Sequence, residues 1–161
     1  MKHISKKIDF SVFDSKEELE PKILNLMNQA ILARKTAYAP YSEFLVGTAL
    51  LLENGKIVIG SNQENAAYPS GLCAERVAFF SAGAQYPNVK IKAVAITATP
   101  KDRLNTIPIP PCGACRQSMM EYEQRQNESI PVYFMGAEGE VYLSNSLENL
   151  LPFVFESNFL K

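Results

Sequence analysis

All three cysteines of this 161-residue chain fall in two short segments, Cys73-Ala74-Glu75 and Pro111-Cys112-Gly113-Ala114-Cys115. Three sulfurs gathered at one point can hold a zinc ion and leave its fourth tetrahedral position open to water. A closed structural site would want a fourth ligand, and the single histidine, His3, lies far away near the N-terminus. An odd number of cysteines in a reducing compartment argues against a disulfide framework and for metal or catalytic use. The carboxylate of Glu75, two residues past the first thiol, makes that use catalytic.

Size and charge narrow the substrate. The length suits a single domain over residues 1–161, able to bury a core without disulfides. Net charge is −1 and the sequence pI is 5.9. No basic field is present to attract a polymeric nucleic acid, so a small neutral molecule is the expected partner. The N-terminal residues carry scattered lysines but no apolar signal-peptide core, and no stretch approaches the roughly 20 apolar residues that cross a bilayer. The expected address is the cytoplasm, with no membrane partner.

Ser15 and Glu18 spell a capping box, followed by Leu19, Ile23, Leu26, Ala30, Ala33 and Ala37 at steps of three and four. That spacing predicts a helix with one apolar face, stopped by Pro40. Val46–Leu52 and Lys56–Ser61 read as two strands joined by a two-residue turn at Asn54-Gly55. Cys73–Gly83 reads as a second helix and Ala93–Ala98 as a strand buried on both faces. A proline-rich loop, Thr99–Pro111, leads to a third helix reaching about Arg125, with Pro111 suited to its first position. Pro131–Met135 and Glu140–Leu143 are further strands, and Ser146 is placed to cap a short last helix. The order implies an α/β fold, a three-layer α/β/α sandwich around a mixed sheet of about five strands. Residues 1–14 form an N-terminal leader and residues 150–161 an apolar C-terminal tail.

Cys112 and Cys115, three apart at a helix start, share one face. Two helix N-termini would bring positive dipole ends to three thiols and favour the thiolate form. Zinc with three thiolates keeps a net negative charge, so cations near the sulfurs are needed; Arg76 and Arg116 are the candidates. Glu75 sets a geometric condition. Residues two apart in mid-helix diverge, so Cys73 and Glu75 reach one site only if the helix begins at Cys73.

These residues resemble those of the cytidine deaminase family, in its small single-domain form. Matching segments are Tyr38-Ala39-Pro40-Tyr41-Ser42, Phe44, Val46-Gly47, Asn62 with Glu64-Asn65-Ala66-Ala67-Tyr68, Cys73-Ala74-Glu75-Arg76, and Pro111 through Gln117. The resemblance implies hydrolytic deamination of cytidine and deoxycytidine to uridine and deoxyuridine, with one zinc per subunit on Cys73, Cys112 and Cys115. It implies that Glu75 shuttles protons to N3 and the departing amine, and that the Ala74 backbone helps hold the base edge. Asn62 and Glu64 would bind the ribose 3′-hydroxyl, and Phe44 would pack on the pyrimidine. Phe155 would enter a neighbouring subunit's pocket in a homotetramer, with Tyr68 at the shared site. Rival readings are an aminopyrimidine deaminase of the blasticidin S type, against which Asn62 and Glu64 tell, a non-catalytic zinc module, and a redox pair at Cys112 and Cys115.

Overall fold

A computed structural model describes residues 1–160. Ten regular elements follow in chain order: β1 (Ser11–Phe13), α1 (Pro21–Arg34), β2 (Phe44–Leu52), β3 (Ile57–Ser61), α2 (Ala74–Gln85), β4 (Ile91–Pro100), α3 (Gly113–Gln126), β5 (Val132–Met135), β6 (Val141–Ser144) and α4 (Leu147–Leu150). The strands form one mixed sheet in the order β1-β6-β5-β4-β2-β3, with β4 and β5 parallel and the other pairs antiparallel.

The layers follow from strand alternation. In β2, Leu50 and Leu52 point to one face, where they meet Phe79 and Ala82 of α2 and Met119 of α3. Ala49 and Leu51 point to the other face, against Leu26, Met27 and Ala30 of α1. β4 divides likewise, Val94 and Ile96 on the first face and Ala93 and Ala95 on the second. The expected α/β/α sandwich is present, with a strand buried on both faces at its centre.

The sheet has six strands rather than about five. The additional one is β1, inside the segment read as a leader: Ser11, Val12 and Phe13 pair with Leu143, Tyr142 and Val141. Phe10 packs edge-on against Phe134 and tilts on Tyr142. The Asp9 backbone exchanges hydrogen bonds with the Asn149 side chain, its N–H donating to Oδ1 at 3.2 Å and its carbonyl accepting from Nδ2 at 2.9 Å. Lys6 Nζ donates to the Pro152 carbonyl.

Local signals were displaced where a nearer partner competed. Ser15 caps nothing through its side chain; it precedes a 3₁₀ turn, Lys16–Glu18, and Glu18 accepts from the Asp14 N–H instead. α1 starts at Pro21, whose missing N–H costs nothing at a first helical position, and ends at Arg34, well before Pro40. Leu19 is buried but lies outside the helix, as does Ala37. Four residues, Glu53-Asn54-Gly55-Lys56, connect β2 to β3, with the Leu52 N–H donating to the Lys56 carbonyl; only Gly55 among them has positive φ, at 80°. Pro111 precedes the cap of α3 rather than opening the helix, and Thr99 and Pro100 belong to β4. Ser146 does cap α4, accepting from the Asn149 N–H at 3.1 Å.

Candidate active site

The Sγ atoms of Cys73, Cys112 and Cys115 lie within 4.8 Å of one another. Cys73 is the N-cap of α2 and Cys112 the N-cap of α3, both extended, with Cys115 one turn further into α3. Two helix N-termini therefore abut, and their unpaired N–H groups put positive potential at the sulfurs. Gly60 on β3 permits this approach. A Cβ there would stand 2.5 Å from the Ala74 carbonyl and 2.6 Å from the Ala78 nitrogen, so any side chain would push the first turn of α2 off the sheet.

With Cys73 at the cap, the condition on Glu75 is met. Its side chain is 4% exposed, and Oε2 has no hydrogen-bond partner. Burial is the main cause that lifts its pKa to about 7, and the charge of Cys73 adds to it. Cys73 itself falls to about 5, chiefly through contact with the Cys115 thiol, with the Arg76 guanidinium beside it adding to the effect. Cys115 is pushed up by the same contact and keeps its proton.

These residues suit a zinc ion. The donors are soft, one thiol is acidic before any cation arrives, and both helix ends favour the anionic form. Among the described residues the cluster includes no fourth cysteine, histidine or carboxylate, which leaves one tetrahedral position for a small ligand. Arg76 stands beside the cluster: burial lowers its pKa, but the neighbouring Cys73 and Cys115 outweigh that and raise it, while its Nη2 donates to the Gly71 carbonyl at 3.5 Å. Arg116 is not so placed. Its guanidinium turns away to two backbone carbonyls, Pro111 at 2.7 Å from Nε and Leu150 at 3.0 Å from Nη1.

A cavity of about 470 Å³ opens beside the cluster. Cys73, Glu75, Arg76 and Cys112 form one end, while Phe44, Asn62, Glu64 and Tyr68 line the remainder. Asn62 is nearly buried and clamped to β2: Oδ1 accepts from the Val46 N–H at 2.9 Å and Nδ2 donates to the Phe44 carbonyl at 2.8 Å. Glu64 accepts from the Tyr41 and Ser42 N–H groups at 2.9 and 3.3 Å and from the Ser42 hydroxyl at 2.5 Å. That hydroxyl is the largest of the contacts that hold its pKa below the carboxylate range. Ala74 is fully buried in the first turn of α2. Phe155 stands apart within the chain, exposed on the tail, its backbone bonded to the Gln117 amide and its ring 5.9 Å from Phe159.

Sequence reasoning gave no place in the cavity to Val46, Ile96, Ala98, Ile109 and Pro110, which line it together with Ser42, Gln63, Gly71 and Leu72. The first three follow from alternation on β2 and β4, once it is known which face meets α2. Nothing local marks Ile109. A smaller hollow of about 280 Å³, lined by Tyr86, Tyr122 and Arg125 among others, has no cysteine or carboxylate in its walls.

Residues 21–127 match the family model described as the cytidine and deoxycytidylate deaminase zinc-binding region. The chain is 41% identical over 135 residues to the cytidine deaminase of Sporosarcina psychrophila, covering 84% of this chain and 92% of that protein. It is 40% identical over 130 residues to that of Halalkalibacterium halodurans, covering 81% and 91%. The crystal structure of the Burkholderia pseudomallei cytidine deaminase superposes with a TM-score of 0.71 at 41% identity, over 81% of this chain and 97% of that one.

Proposed function

The chain belongs to the cytidine and deoxycytidylate deaminase family, and we propose that it is a zinc-dependent cytidine deaminase, converting cytidine and deoxycytidine with water to uridine and deoxyuridine with release of ammonia. The observation that carries this reading is Glu75: a buried carboxyl group with a free oxygen, in the same cavity as the sulfur cluster.

Cys73, Cys112 and Cys115 would hold the zinc ion, which when bound supplies a Lewis acid that makes water a nucleophile near neutral pH. Glu75 carries the protons. In the metal-free protein its pKa lies near 7, so it is populated both as acid and as base at neutral pH; one carboxyl group can protonate N3, regain a proton from the attacking water and deliver that proton to the departing amine. Its Oε2, free of protein partners, is the atom available for both transfers. Phe44, with Val46, Ile96 and Ala98, gives the flat base an apolar slot. The Ala74 backbone, at the start of α2, is assigned to the base edge.

We assign the ribose 3′-hydroxyl to Asn62 and Glu64. Glu64 is held ionised and accepts; the Asn62 amide is oriented by its bonds to β2 and keeps one N–H to donate. Tyr68, 75% exposed at the cavity mouth, and Phe155, 59% exposed on the tail, leave apolar surface that a second copy of the chain would cover. This supports association between copies, and the family resemblance assigns it as a homotetramer in which Phe155 completes a neighbour's site. The assignment carries with it one domain per chain and a cytoplasmic address; no helix among the described residues is long and apolar enough to cross a membrane.

The decisive assay follows loss of cytidine absorbance and release of ammonia, before and after a chelator and after zinc is restored. Activity should vanish with the metal and return with it. Free cytosine, which leaves Asn62 and Glu64 without a sugar, should turn over far more slowly. Zinc-loaded protein that releases no ammonia from cytidine refutes the function, and equal turnover of cytosine and cytidine refutes the sugar site.

A further inference from the structure

Of the three thiols, Cys112 is the one that packing holds least. Cys115 is buried and Cys73 half-buried, whereas Cys112 is exposed. An exposed side chain on the residue that opens a helix takes its position from its own backbone. The peptide unit just before Cys112 includes the Pro111 carbonyl, which precedes α3 and stands outside its hydrogen-bond ladder. That carbonyl accepts from Arg116 Nε, and the same guanidinium donates through Nη1 to the carbonyl of Leu150, the last residue of α4. One rigid planar cation thus ties the residue ahead of a sulfur donor to a separate element. A guanidinium presents donors along several edges at fixed angles, whereas an ammonium on a flexible stem does not.

The other end of the tie is itself fixed. Glu123, further along α3, is buried, and its carboxylate accepts from the N–H groups of Ile130, Leu147 and Glu148 at 2.7, 2.8 and 3.0 Å. Two of those N–H groups open α4, so the short helix is pinned at its start by Glu123 and at its end by Arg116. α4 therefore serves as an abutment against which Arg116 can hold the Pro111 carbonyl.

We propose that Arg116 is a positioning residue of the metal centre, which keeps Cys112 in register with Cys73 and Cys115 by anchoring the Pro111 carbonyl to α4. The inference rests on the reading that the three thiols hold one zinc ion. Partners that orient metal ligands without touching the metal commonly alter affinity by about 10–100-fold when removed.

The test uses the full-length protein and reads metal binding and thiol protection, not turnover. Zinc affinity is measured by competition with a chromogenic chelator. Thiolate coordination is read from the sulfur-to-metal charge-transfer absorption of the Co²⁺-loaded protein. Protection is mapped by alkylating the zinc-loaded protein with iodoacetamide and locating the modified cysteine. Arg116→Ala, with its far-ultraviolet circular dichroism retained, should bind zinc about 10–100-fold more weakly. It should lose part of the charge-transfer intensity and become alkylated at Cys112 while Cys73 and Cys115 stay protected. Arg116→Lys, able to keep one of the two carbonyl contacts, should fall between it and the parent. Unchanged affinity and unchanged Cys112 protection in folded Arg116→Ala overturns the proposal, as does uniform alkylation of all three cysteines, which is the mark of general loosening. Should Arg116→Ala fail to fold, parent-like affinity and protection in Arg116→Lys overturns it instead. A parent protein that binds zinc through three thiolates yet does not deaminate cytidine would sink the function and leave this inference standing.

Discussion

Glu75 keeps its proton to about pH 7 because ionising it would strand a charge away from water. Its ordinary value is 4.5. Between these limits the unfolded chain has released a proton that the native protein retains, so the native state binds more protons. Stability attributable to this group therefore falls as pH rises from about 4.5 to about 7, and then levels off. A Glu75→Gln variant has no such proton. In the metal-stripped protein its stability should gain on the parent by roughly 3 kcal/mol between pH 4.5 and 8, at about 1.36 kcal/mol per pKa unit. Urea titrations at a series of pH values check this, and a gap independent of pH would mean that Glu75 titrates like an exposed carboxylate. The same variant, zinc-loaded, should lose turnover by about 10²–10⁴-fold while keeping its metal and its circular dichroism, the range expected for a positioned proton carrier.

At the scale of elements, the site depends on how closely α2 lies on β3. Both thiol-bearing helices present their first turns to the cavity, but only α2 does so across a glycine. Gly60→Ala would place a methyl group 2.5 Å from the Ala74 carbonyl and 2.6 Å from the Ala78 nitrogen, both backbone atoms that cannot swing aside. The helix must lift, carrying Cys73 and Glu75 with it. Overpacking of this kind costs about 1–3 kcal/mol. We expect that loss in denaturant unfolding together with weaker zinc retention in a chelator challenge. A variant that unfolds earlier but holds zinc as tightly as the parent would show that α2 can shift without disturbing the sulfurs. The short α4 matters in the same way: a four-residue helix could not persist alone, and it is held by Ser146 at its cap and by Glu123 and Arg116 from α3.

Across the whole molecule, the two chain ends meet. β1 closes the β6 edge, Phe10 covers Phe134 and Tyr142, Asp9 bonds to Asn149 just before the tail, and Lys6 bonds to Pro152 within it. Removing residues 1–13 should cost about 2 kcal/mol, the scale of unburying one large aromatic side chain, and free the tail that bears Phe155. Differential scanning calorimetry and light scattering check this: a lower unfolding temperature with a smaller assembly is expected, and an unchanged temperature would make the leader an ornament of the sheet. Much of this organisation could be read from the chain. Cysteine spacing, the Cys73–Glu75 condition and the alternation along Val46–Leu52 and Ala93–Ala98 all depend on residues within a turn or two of each other. The misreadings came where a local signal had a rival: Glu18 found the Asp14 N–H before the Ser15 cap, and Pro21 offered a better helix start. By itself, then, the sequence determined the candidate set, three thiols and one carboxylate at two helix starts, because helical periodicity and capping are short-range properties. Only the tertiary structure decided that Leu143 would pair with Ser11, that Asn62 would brace β2, that Ile109 would reach the cavity and that Arg116 would serve carbonyls rather than sulfurs. Those partners lie far apart along the chain, and what selects them is which surfaces remain to be covered once the sheet has closed.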